Sequence, residues 1–170
     1  LNDRDNAGSG SAGGEQPERE VRIVTFPETK IAVFRHRGDP ARIAESVRRF
    51  VEWRKEHGLS PAKSATFNII YDSPDAGLPE SFRLDLCAAV DSEYDTGKCG
   101  MLFRSIPEGR CAMLRHAGPD DRLGESVRYL VLQWFPSSGE ERRNFPIFLQ
   151  RYPERSAAAE SVVDIFLPLA

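Results

Sequence analysis

The stretch PETKIAVFRHRGDPARIAESVRRFV, residues 27–51, recurs eighty positions later as PEGRCAMLRHAGPDDRLGESVRYLV, residues 107–131. Twelve of the twenty-five aligned positions are identical and no gap is needed. The shared residues include Arg35/Arg115, His36/His116, Gly38/Gly118, Glu45/Glu125 and Ser46/Ser126. A duplicated unit too small to bury its own apolar face has to pack against its copy. A seam between two related halves is a common place for a ligand.

Around this core the pattern is the same in both copies. Val21 to Phe26 and Lys30 to His36 read as strands, joined by a Pro-Glu-Thr turn at 27–29. Met101 to Ile106 and Arg110 to His116 repeat the plan around Pro-Glu-Gly at 107–109. A helix follows. Asp39 suits its cap and Pro40 its first position, where the missing N–H costs nothing. Its expected apolar stripe is Ile43, Val47, Phe50, Val51 and Arg54, and in the second copy Leu123, Val127, Leu130, Val131 and Trp134. Two further strands complete each half: Thr66 to Tyr71 with Phe82 to Val90, and Phe145 to Tyr152 with Ser161 to Leu167. The expected fold is α+β, a tandem repeat with antiparallel sheet, a pseudo-twofold and two amphipathic helices laid across the strands.

Composition narrows the function. With 170 residues the chain fits one compact domain or two very small ones, and 40% hydrophobic with 29% charged residues is an ordinary soluble composition. A net charge of −3 removes the bulk basic footprint of a nucleic-acid binder. No uncharged stretch is long enough to span a bilayer. Three cysteines without a C-x-x-C pair (Cys87, Cys99, Cys111) argue against a metal site or a disulfide framework and point to a reducing cytoplasm. Residues 1–20 are rich in Gly, Ser, Ala and acidic groups, too polar to offset their ordering entropy. They are expected to be a flexible linker or a vector-derived remnant, and a linker implies something upstream. The domain proper is placed at 21–170, with repeat one at 21–92 and repeat two at 101–169.

No catalytic signature is present: no G-x-S-x-G, Walker loop or H-E-x-x-H. The twin Arg-His-x-Gly motifs (35–38, 115–118) admit two readings. One is a symmetric pair of titrating groups at the seam. The other is a strand end followed by a glycine that permits the turn into the helix. Trp53 and Trp134 sit one position apart in repeat register.

Phe67-Asn-Ile-Ile-Tyr-Asp-Ser-Pro-Asp followed by Pro79-Glu-x-x-Arg83-x-Asp85 resembles the first-half signature of GyrI-like small-molecule-binding domains. The run from Ile106 to Gly118 resembles the start of their second half, and Asp164-Ile-Phe-Leu-Pro-Leu their last strand. The resemblance covers about residues 21–169. It implies two strand-helix-strand-strand modules with a ligand cleft between them. Such domains occur at the C-terminus of AraC-type regulators, as standalone proteins similar to a gyrase inhibitor, and in a few reported hydrolases. One departure stands out. Where the family carries Pro-x-x-Glu-x-Tyr, this chain has Pro146-Ile-Phe-Leu149-Gln150-Arg151-Tyr152, with Leu149, or Gln150 after a one-residue insertion, at the glutamate position. That loss argues against the usual cation receptor; Glu154 is the nearest substitute.

The expected function is therefore that of a non-enzymatic effector-binding domain of a bacterial transcription regulator, without cofactor or metal. Its cleft would be lined by Phe67, Tyr71, Trp134, Phe148, Tyr152 and, less centrally, Trp53, and would take a small, largely apolar or aromatic molecule. DNA would be reached only through a helix-turn-helix domain outside this chain, no membrane is involved, and a homodimer is compatible with the reading. The alternatives are a standalone gyrase-inhibitor-like interaction protein and a small-molecule hydrolase.

Overall fold

The computed structural model describes residues 19–73, 77–92, 100–153 and 161–170. Cys99, Glu154 and residues 1–18 of the expected linker lie outside the described residues. The strands are β1 (Val21–Phe26), β2 (Thr29–Arg37), β3 (Thr66–Ile70), β4 (Arg83–Ala89), β5 (Met101–Ile106), β6 (Gly109–Ala117), β7 (Ile147–Arg151) and β8 (Val162–Pro168). All eight join one sheet in the order β1-β6-β8-β7-β3-β4-β2-β5, antiparallel at every pairing. Helix α1 (Ile43–Glu56) crosses the first half. Helix α2 (Leu123–Tyr129) crosses the second and runs through a π-helical turn (Leu130–Trp134) into α3 (Phe135–Ser138).

The Pro-Glu turns differ from expectation. β1 does not pair with β2; it pairs with β6, and β5 pairs with β2. Each copy therefore lends its first strand to the far edge of the other. Phe26 and Thr29 are three Cα steps apart, a reach of about 11 Å at most. In a flat sheet β1 and β2 would be six strand spacings apart, about 29 Å. The sheet must curl until its edges approach, and the same holds from Ile106 to Gly109. Rings on strands that are not neighbours consequently touch: the centroids of Phe26 and Phe67 are 6.0 Å apart, edge to face.

Curling gives the sheet a concave and a convex face, each with its own core. Alternate residues point to opposite faces. Phe26, Ile31, Val33, Phe67, Ile69, Cys87, Ile106, Cys111, Phe148 and Phe166 form the concave cluster, drawn from both halves. The helices cover the convex face through two separate clusters. One gathers Ala32, Phe34, Phe50, Trp53 and Leu86. The other gathers Leu114, Leu123, Leu130, Leu149, Ile165 and Leu167. The stripe expected for α1 is shifted: Phe50, Trp53 and Arg54 are buried, whereas Val47 and Val51 are exposed. The Arg54 guanidinium reaches inward because Leu59 O, Thr66 Oγ1 and Ser64 O accept from it at 2.7, 2.6 and 2.7 Å.

The π turn explains the offset of the tryptophans. Helix residues correspond at a spacing of 80, but Phe67/Phe148 and Tyr71/Tyr152 correspond at 81. A π turn is one residue inserted into an α-helix. Its place at Leu130–Trp134 absorbs the extra residue and makes Trp134 the counterpart of Trp53. Deleting Leu132, which is 67% exposed, should restore the α register of the first copy and cost less than about 1 kcal/mol. Deleting Arg128 instead, ahead of the insertion, should unfold the second half. Urea denaturation of the two deletion variants compares them.

Candidate functional site

The Arg-His-x-Gly motifs are structural. His36 and His116 point to the convex side, away from the seam. Nε2 of His36 lies 3.2 and 3.1 Å from the carbonyls of Gly38 and Asp39, and Nε2 of His116 lies 3.2 Å from that of Pro119. A carbonyl only accepts, so Nε2 carries a proton, and in the neutral ring Nδ1 then accepts from serine. Those bonds, Ser46 Oγ to His36 at 2.8 Å and Ser126 Oγ to His116 at 3.0 Å, tie each strand end to its helix. Gly38 and Gly118, with φ of +107° and +143°, make the turn between them.

The concave face holds the chemistry. Its centre is aromatic: Phe148 stacks on Phe166 at 4.9 Å, and Phe26 meets their edges or faces at 4.8 and 5.1 Å. Phe145 adds a fourth contact, 6.0 Å from Phe148. Phe26, Phe67, Phe148 and Phe166 are all buried, so protein side chains fill the middle of the seam. Phe26 differs from the others in position. It ends an edge strand at the Pro27-Glu28 crossover, while the others stand within strands flanked on both sides.

On either side of this cluster a buried aspartate faces the same way. Asp85 accepts from Arg37 Nη1 at 3.0 Å and from the Tyr71 hydroxyl at 3.0 Å. Asp164 accepts from Arg115 Nε and Nη2 at 2.8 and 2.9 Å, a bidentate pair, and from the Tyr152 hydroxyl at 2.8 Å. The two sets are related but not identical. Arg115 lies opposite Asp164 in register, as Arg35 lies opposite Asp85, yet in the first half it is Arg37 that holds the carboxylate. The bonds to Asp164 push the Arg115 guanidinium further toward its charged form.

Of the six expected lining residues, the structure places Phe67, Phe148 and Tyr71 in or against the concave cluster, with Tyr152 on the same face through Asp164. Trp53 and Trp134 are corrected. Both belong to the convex clusters beneath the helices, Trp53 stacked on His57 at 4.5 Å. A helix stripe faces the sheet, but it faces the side away from the seam. Gln150 and Leu149 are also resolved. Gln150 lies opposite Asp164 and Phe67 in register and two residues before Tyr152, while Leu149 is buried in the convex core. On the concave face that position is therefore Gln150, and the carboxylate sits one strand over, at Asp164. Sequence reasoning missed Phe26, Phe166, Asp85, Asp164, Arg37 and Arg115. The available signal was a lone aspartate inside each apolar run, Leu84-Asp85-Leu86 and Val163-Asp164-Ile165. A buried carboxylate requires partners.

Burial, followed by the nearby aspartates, holds the Tyr71 and Tyr152 phenols protonated above the ordinary value. Unfolded tyrosine ionises near pH 10. Above that pH the unfolded chain releases protons that the folded one keeps, so stability is full below about 10 and falls as pH rises toward the folded values. The Tyr71→Phe/Tyr152→Phe variant should lose part of this alkaline decline in urea titrations from about pH 8 to about pH 11.

Among the described residues no group of His, Cys, Asp and Glu is arranged to hold a metal, and no helix is long and apolar enough to cross a membrane. The GyrI-like small molecule binding domain matches residues 19–170. The Escherichia coli (strain K12) protein named "Probable transcriptional regulator YgiV" is 34% identical over 154 residues, covering 89% of this chain and 96% of that one. The crystal structure of the EcmrR C-terminal domain superposes with a TM-score of 0.69 at 18% identity, covering 90% of this chain and 98% of that one. EcmrR in its complex with DNA gives a TM-score of 0.70 at 18% identity over 88% of this chain, which spans 57% of the EcmrR chain. The chain belongs to the GyrI-like small-molecule-binding domains.

Proposed function

We propose that this chain is the effector-binding half of a cytoplasmic transcription regulator of AraC type, and that its ligand is a small molecule with an aromatic or apolar body held on the concave face between the two repeats. The observation that carries the reading is the phenylalanine cluster flanked by two Asp-Tyr-Arg sets. Its support is the family and the regulator name of the YgiV relative. Phe26 acts as the plug. A ligand ring enters where Phe26 now lies, and Phe26 leaves with the crossover that carries it. The edge strands β1 and β5 bridge the two copies, so that displacement biases their mutual orientation, a population shift passed to the segment before β1. Each 100 Å² of apolar surface covered contributes about 2.5 kcal/mol. The chain binds rather than catalyses: both buried carboxylates are occupied by arginine and tyrosine, which leaves neither as a general base.

Thermal-shift screening against hydrophobic drugs and dyes, followed by calorimetry, tests this. Tyr152→Phe or Phe148→Leu should weaken at least one ligand about fivefold or more. Phe26→Ala should tighten it, because the cost of moving the plug is gone. Unchanged affinity in all three variants for every ligand would sink the assignment. A standalone interaction protein is the second reading. It is favoured by the match that covers 96% of the YgiV relative, which leaves that protein little room for another domain. Pull-down of DNA gyrase by the purified chain at physiological salt, with no ligand response in the screen, would select it.

A further inference from the structure

A cavity of about 530 Å³ opens at the other end of β6, where β1 begins. β1 starts at Val21, opposite Leu114, so Arg115, His116 and Ala117 run on past it. Four arginines line the space, Arg19, Arg22, Arg115 and Arg122, against two carboxylates, Glu20 and Glu125. Three of the arginines have partners. Arg22 donates to Glu20 at 3.1 and 2.9 Å, and Arg115 donates to Asp164. Arg19 stands a loose 3.9 Å from Glu125. The Arg122 guanidinium has no hydrogen bond or ion pair among the described residues; only the backbone N–H of Arg122 is engaged, to Pro119 O. Met113 supplies an apolar wall.

The first repeat is an internal control. Its Arg42, the counterpart of Arg122, is bound to Glu45 at 2.9 Å. Its Arg37 stands where the second repeat has Ala117, and it fills the strand end by bonding His36 O and Asp85. The second repeat has exchanged that long side chain for a methyl group, and its helix carboxylate Glu125 faces Arg19 instead of Arg122. Space and an unclaimed guanidinium thus arise together in the second copy.

We infer that this cavity is a second ligand site, specific for a small organic carboxylate whose charged end pairs with Arg122 and whose hydrocarbon part lies on Met113. It adjoins the aromatic seam, with Met113 and Arg115 bordering both, but the residue that would take the charge, Arg122, has no part in the seam. The test is isothermal titration of the whole chain with benzoate, phenylacetate and 4-phenylbutyrate, and with the corresponding neutral amides. At least one carboxylate should bind with one-to-one stoichiometry and weaken as salt is raised. Its amide, and the Arg122→Gln variant, should each bind about tenfold more weakly or worse. Ala117→Arg rebuilds the arrangement that the first repeat already folds with, and should abolish binding. Both variants should keep the response to any dye that Phe148→Leu or Tyr152→Phe weakens, which separates this site from the seam. Absence of carboxylate binding, equal binding of the amides, or binding that survives Arg122→Gln and Ala117→Arg would overturn the inference.

Discussion

Replacing Phe148 by alanine should lower the unfolding free energy by about 3–5 kcal/mol. Phe148 is fully buried on β7, between β8 and β3 at the middle of the sheet, and touches Phe26, Phe145 and Phe166. Phe26 and Phe166 sit on strands of different copies, held by the curl of the sheet, and Phe145 stands just ahead of β7, so they cannot all close on the void. For a chain of this length the loss corresponds to a fall in melting temperature on the order of 10 °C. Differential scanning calorimetry reads it directly. A fall of only a degree or two would mean that the concave cluster collapses freely and is no rigid scaffold for a ligand.

Arg115→Ala should be the most damaging change to a surface-reaching residue. It leaves Asp164, whose side chain is 5% exposed, with only the Tyr152 hydroxyl. Breaking a buried pair by removing one partner costs about 3–5 kcal/mol, and the 58% exposure of Arg115 reduces this to about 2–3 kcal/mol. The repeat provides the contrast. Arg35, its counterpart, makes no bond to Asp85, so Arg35→Ala should stay within about 0.5 kcal/mol of the parent. In the first half the loss should appear at Arg37→Ala instead. Urea denaturation of the three variants decides this, and equal effects at Arg35 and Arg115 would contradict the asymmetry.

Much of the fold was legible because duplication doubles each signal. The strands β1 and β5 lie where alternation places them, and the other boundaries shift by two residues at most. Pairing partners were not legible, because alternation reports which residues are buried and says nothing of the neighbouring strand. One clue went unused. A two-residue hairpin needs positive φ at its centre, usually Asn-Gly, which Pro27-Glu28 cannot supply. Such a link suits a crossover. The site was legible where an aromatic repeats at the same strand position, as with Phe67/Phe148 and Tyr71/Tyr152. It was misread at the tryptophans, since amphipathic spacing identifies a helix face but not which side of a two-sided sheet that face meets. The aspartates were read as parts of strand signatures and not as site residues, because a single acidic residue in an apolar run looks like an exposed position until strand order surrounds it.

The exchanged first strands make each copy depend on the other for a sheet edge. A polypeptide severed within residues 93–99 should yield two fragments, each insoluble or unstructured alone, that recover the native state when mixed. By the same logic an ancestor with a single copy would have been obliged to work as a pair of molecules, each donating its opening segment to its twin, and gene fusion would have turned that bimolecular bargain into an intramolecular one.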